Sequence, residues 1–228
     1  MKLFLSPFKP AIYLGGFVLL CLVAPLGRLE FGDGGLWTMA SAAALCLFFA
    51  AGAANWPALN QLGASFNRWM NSAVLTALVT AVVLAPLTAA SAVYHQAHSP
   101  YYWWYDPFII TNGEPMPWID GNGEPYLVDG AAQDLSSIAL TALFHFVIFL
   151  GIAFVGIALG LASGTRMQWL MIGSMFVGSF LGALAGVLAE NPLDPFKPNS
   201  YIIAITVAGI ITLAASAIVF ARTRRFVR

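Results

Sequence analysis

Six stretches, at positions 11–27, 36–54, 72–93, 137–161, 169–189 and 201–221, contain no Lys, Arg, Asp or Glu. Crossing about 30 Å of hydrocarbon takes roughly 20 apolar residues at about 1.5 Å each, so each stretch reads as a membrane span. The charges between the spans are sorted by sign. Lys2, Lys9, Arg68, Arg166, Arg222, Arg224, Arg225 and Arg228 fall in one set of segments, with no acid among them. All ten Asp and Glu residues fall in the other set, accompanied only by Arg28 and Lys197. Basic residues near span ends are retained on the cytoplasmic side, so both termini are expected there, and six is the even number of crossings this requires. The expected fold is an all-α, multi-pass protein of a cell membrane such as a bacterial inner membrane. Segment 94–136, between the third and fourth spans, is its one long external loop.

A hydrophobic content of 60% and a charged content of 9% exclude an ordinary soluble domain. The formal net charge of zero conceals the segregation and gives no reason to expect a nucleic-acid partner. Lys2 and Lys9 before an apolar run imitate a secretory signal, but Ala24-Pro25-Leu26 is a poor cleavage site, and this run reads as the first span. Cys21 and Cys46 lie inside spans, where a thiol behaves as a small apolar residue. The cytoplasmic connections are short, so any catalysis on that face is expected on another chain. No GxxxxGK[ST], GxSxG or HExxH occurs, and neither a catalytic residue nor a cofactor site is expected.

Segment 55–71 is the most informative cytoplasmic piece. Leu59, Leu62, Phe66 and Trp69 recur at helical spacing opposite Asn60, Gln61, Asn67 and Arg68, which predicts one short amphipathic helix at the membrane surface. Asn55 is placed to cap it and Pro57 to occupy its first turn. Leu62-Gly63-Ala64-Ser65-Phe66-Asn67-Arg68-Trp69 then runs directly into the third span, which is rich in small residues.

This layout, with both termini inside and a fourth span running into a short basic turn at Arg166, resembles the permease subunits of ATP-binding-cassette exporters. In that family the segment between the second and third spans docks in a groove of a separate ATPase. The resemblance implies a coupling role for Leu59, Asn60, Leu62, Gly63, Ser65, Phe66, Arg68 and Trp69. It also implies a cytoplasmic ATPase partner and a second permease, identical or related, in the membrane. A different class of function, an accessory or immunity-type membrane protein acting through its external loop, is the alternative.

Gly156, Gly160 and Gly164 repeat every four residues in the fourth span, and Gly178, Gly182 and Gly186 do so in the fifth. Such strips let helix backbones approach closely, and the two spans are expected to be tightly packed. The strips serve either packing within one chain or a dimer seam. In the external loop, Tyr101, Trp103 and Trp104 belong to an aromatic cluster suited to the headgroup region or to a gate. Two copies of Asn-Gly-Glu-Pro, each followed by Asp-Gly, predict short hairpins. Asp120, Asn122 and Glu124 alternate as calcium ligands do, but Pro125 replaces the required glycine, and His95 and His98 lack further ligands, so no metal is expected. The loop holds six acids and no Lys or Arg, a composition that attracts cations or simply marks an exported segment. His145 is the one ionisable residue inside a predicted span, and it serves either as a hydrogen-bonded strut or in conduction.

Overall fold

The computed structural model describes residues 1–31, 34–98, 106, 108–110, 118–119, 125–126, 130, 132–189 and 200–226. Six of its helices are long and apolar enough to cross a membrane. In chain order the elements are α1 (Lys2–Leu5), α2 (Pro10–Phe31), α3 (Gly34–Ala53), α4 (Trp56–Gln61), α5 (Phe66–His98), β1 (Trp118–Ile119), β2 (Pro125–Tyr126), α6 (Leu135–Ala162), α7 (Met167–Ala189) and α8 (Ser200–Phe226). The strands form a two-residue antiparallel ladder, with Trp118 opposite Tyr126 and Ile119 opposite Pro125. Tyr101, Trp103, Trp104, Asp120 and Glu124 lie outside the described residues.

The helices outrun the apolar stretches that announce them. Apolarity determines which part of a helix sits in hydrocarbon, whereas backbone hydrogen bonding continues until something stops it. With its 33 residues α5 extends roughly 50 Å, past the hydrocarbon at both ends. For the same reason α2 continues beyond Gly27 and carries Arg28 into the bundle, although the charge pattern alone places that residue in a connection.

α5 is the most buried of the six long helices. Ala73, Ala77, Ala81, Ala85 and Ala89 recur every four residues along it and are all buried, flanked by buried Thr76, Thr80 and Thr88. Small side chains let α2 and α6 come close, and close approach is what holds helices together where lipid tails are as apolar as leucine. Asp134 starts α6 by accepting from the Ser137 N–H at 3.0 Å and from the Ser136 hydroxyl. Those bonds, led by that from Ser136, hold its carboxyl down to about 2.

The glycine strips do pack, but not on each other. A Cβ on Gly156 would overlap the Cys46 carbonyl, and one on Gly160 would overlap the Ala50 carbonyl, so α6 lies against α3. Gly178 and Gly182 face Ala208 and Ala204, so α7 lies against α8, and Gly186 is buried on the same helix. α6 and α7 meet far less than either of these pairs does. Antiparallel neighbours joined by a tight turn need not share their flattest faces. Gly164 is not a packing residue at all: its φ of +71° lies in the left-handed region, where glycine turns the chain out of α6 with open space around its Cα.

Gly160→Leu is predicted to destabilise the bundle by about 1–3 kcal/mol or more, because the side chain must displace α3 backbone and gains nothing by burial. Gly173→Leu, at a glycine with nothing within 4 Å, is predicted to be tolerated. Thermal unfolding of the two detergent-solubilised variants checks the contrast. Equal stability would show that Gly160 is not a close contact.

Candidate functional site

Tracing the chain through its turns brings Lys2, Lys9, Arg68, Arg166, Arg222, Arg224 and Arg225 to one end of the bundle. Arg222 reaches the Met167 sulfur across that end at 3.4 Å. The segment between α3 and α5 lies here, and it is an elbow of two helices. Gly63, with φ +83°, ends α4: its N–H bonds the Asn60 carbonyl at 2.9 Å, and the Ala64 N–H bonds the Leu59 carbonyl at 3.0 Å. This paired closure with a left-handed glycine is a standard helix stop, so the single helix expected over 55–71 is divided at Gly63. Pro57 does sit in the first turn of α4, but Asn55 does not cap it. Its side-chain amide instead donates to the Ala51 carbonyl at 2.9 Å, satisfying the end of α3.

The break also divides the apolar stripe. Phe66 and Trp69 are buried, while Leu62 is 84% exposed and Leu59 is half-buried. Trp69, fully buried, is the hub, with ring centroids 5.0 Å from Trp56, 5.8 Å from Phe4 and 5.9 Å from Phe66. Phe4 stacks on Phe49 at 5.4 Å, fills the space left by Gly52, and its N–H donates to the Ser72 hydroxyl at 2.9 Å. Thus α1, the end of α3, α4 and the start of α5 share one aromatic core. Phe66 and Trp69 are therefore withdrawn from any face that a partner can touch. Asn60, Gln61, Leu62, Gly63, Ser65, Asn67 and Arg68 remain exposed around the elbow.

The opposite end holds a second centre. Arg28 is only 2% exposed and pairs with Asp106 at 3.3 Å, itself 5% exposed. The guanidinium also donates to the Thr38 hydroxyl at 2.6 Å and the Ser91 hydroxyl at 2.7 Å, with the Thr88 carbonyl at 3.4 Å. It thereby joins α2, α3 and α5 to the segment between α5 and α6. The other Asp106 oxygen accepts from the Phe108 N–H at 2.9 Å, and the Ile110 N–H donates to the Thr141 hydroxyl of α6 at 2.9 Å. His145 is fully buried one turn further along, its Nδ1 2.8 Å from the Thr141 carbonyl. A carbonyl only accepts, so Nδ1 carries the hydrogen and Nε2 presents a lone pair, which has no partner among the described residues.

Asp106 thus meets Arg28 across 78 positions of sequence. Both lie within electrostatic range of His145 on α6 and of His95 on α5. Spacing offers no signal for such a long-range pair. The one local clue is Arg28 itself, one of two cations on the acidic side and the one at the edge of an apolar run. Among the described residues no three His, Cys, Asp or Glu gather as metal ligands. No family model, no curated protein and no solved structure matches this chain.

Removing either charge leaves the other buried without its counter-ion. Arg28→Gln and Asp106→Asn are each predicted to destabilise the protein, and the double variant to lose less than their sum, with a coupling of about 1–3 kcal/mol. A double-mutant cycle on unfolding free energies in mild detergent measures it. Additive effects would mean that the pair contributes no more than its separate members.

Proposed function

We propose that this chain is the membrane permease subunit of an ATP-driven exporter, working with a separate cytoplasmic ATPase of the ATP-binding-cassette type and a second permease copy or relative. The observation that carries the reading is the elbow. A large apolar side chain, Leu62, stands 84% exposed among Asn60, Gln61, Ser65 and Asn67 on a helix held from behind by an aromatic core. An apolar knob with a polar surround on a stiff mount suits a groove on a soluble partner. The basic residues at this end favour its being the cytoplasmic one.

In this reading closure of the ATPases on ATP pushes α4. The push passes through Trp56 and Trp69 into α5, since those rings are in contact and fully packed. α5 is continuous to the other end, with Pro86 inside it, and spans roughly 33 Å from Trp69 to Ser91, so a displacement of its start is carried toward the residues that hold Arg28. ATP hydrolysis belongs to the partner, and no residue of this chain is assigned a catalytic role. The six acids of the segment between the third and fourth spans, with no Lys or Arg among them, favour an amphipathic or cationic peptide, or a lipid, over a small anion as substrate.

Leu62→Asp is predicted to weaken ATPase association by about 2 kcal/mol, roughly thirtyfold, by placing a charge in an apolar groove. The thermal stability of the permease itself should be unchanged, because the side chain touches little of its own chain. Phe66→Asp is the contrast: it should lower stability first, since Phe66 packs within the aromatic core. Co-purification of the ATPase with each variant, alongside permease melting curves, separates the two. Undiminished association of Leu62→Asp would remove the elbow from the docking surface.

A further inference from the structure

Within the connection between α5 and α6, Asp106 and residues 108–110 enter the bundle. Asp106, Phe108 and Ile109 are buried at 5%, 5% and 1% exposure. This short piece is fastened on one side to Arg28 of α2 through Asp106, and on the other to Thr141 of α6 through Ile110. The Phe108 ring lies 6.1 Å from that of His145, so the segment covers the buried imidazole.

The polar groups in this half of the bundle are incompletely satisfied. His145 Nε2, Thr88 Oγ1 and Ser41 Oγ are buried without a hydrogen-bond partner among the described residues, one each on α6, α5 and α3. Hydroxyls in helices ordinarily bond back to the carbonyl four residues earlier, as Thr76, Thr212 and Ser216 do here. Thr88 and Ser41 do not. A bundle built only to be closed would have no use for three unpaired polar atoms, since Ala or Val at those positions would avoid the desolvation. They make sense as the lining of a route that is dry in this conformation and wetted in another.

We propose that Asp106 and residues 108–110 form a removable plug at the acidic end of a polar route between α3, α5 and α6, with the Arg28–Asp106 pair as its latch. α5 carries both Trp69 of the elbow core and the Thr88 carbonyl and Ser91 hydroxyl that hold Arg28, so a movement of α5 strains the latch directly. Lifting the plug returns both charges to water, and water then reaches His145, Thr88 and Ser41. This deepens the export reading and rests on it for the direction of transport, but the opening itself needs no ATPase.

The test uses full-length protein lacking Cys21 and Cys46, in membrane fragments open on both sides, so that neither orientation nor the ATPase enters. Thr88→Cys reports on the route, with Ser41→Cys as a second reporter on another helix, and Ala77→Cys, fully buried further along α5 toward the elbow, reports on general loosening. A small hydrophilic thiol reagent should label Thr88→Cys and Ser41→Cys slowly. Adding Asp106→Asn should speed both by about tenfold or more, as expected of a weakened local opening equilibrium, and leave Ala77→Cys protected. Unchanged labelling of both reporters would overturn the plug. So would equal acceleration at Ala77→Cys, because the pair would then fasten the whole bundle and not one segment.

Discussion

Lipid offers these helices no gain from burying apolar side chains, and every contact that holds the bundle together answers to that constraint. Association has to come from close backbone approach and from polar groups that cannot be left in hydrocarbon. The chain uses both. Gly156 and Gly160 bring α6 onto α3, Gly178 and Gly182 bring α7 onto α8, and the alanine ladder of α5 lets α2 and α6 close around it. At the acidic end Arg28 collects hydroxyls from α3 and α5 and a carboxylate from outside the spans. At the basic end, where a conventional core forms, aromatic rings from α1, α3, α4 and α5 meet around Trp69.

On the proposed export reading, those two ends let a bundle held by small residues act as a lever. Small-residue contacts are short in range and fix spacing without interlocking side chains, so helices can shift as bodies. The aromatic core fixes the elbow to α5, and the same helix supplies two of the oxygens that hold Arg28. Burying a paired charge is a poor way to gain stability, since desolvation offsets most of the attraction, but in the proposed plug it serves as a contact with two states, closed and released. On that proposal the path from Leu62 to Asp106 runs along α5, with a joint at each end and Pro86 between them.

The six spans were legible because uncharged length is a one-dimensional property. The glycine strips were legible as close contacts, but not their partners, since spacing along one helix says nothing of which neighbour lies opposite. Segment 55–71 shows how a true periodicity misleads. Leu59, Leu62, Phe66 and Trp69 do fall at helical intervals, yet Gly63 stands between them and takes a backbone angle that ends the helix. Glycine as punctuation outweighs a four-residue stripe. Arg28 and Asp106 were both visible as charges beyond a span, and only the length of α2 and the folding-in of Asp106 and residues 108–110 bring them together. The same folding-in sets the Phe108 ring over His145, 6.1 Å from the imidazole.

The claim on which the rest depends is that the elbow at Leu62 engages a nucleotide-hydrolysing chain. A photo-crosslinking amino acid placed at Gln61, exposed beside Leu62, would capture in native membranes whatever touches that face, and sequencing the captured chain by mass spectrometry identifies it. The prediction is a chain carrying GxxxxGK[ST], captured at Gln61 and lost from the same position when Leu62→Asp is added. Capture of lipid alone, or of a chain without a nucleotide-binding motif, would contradict it.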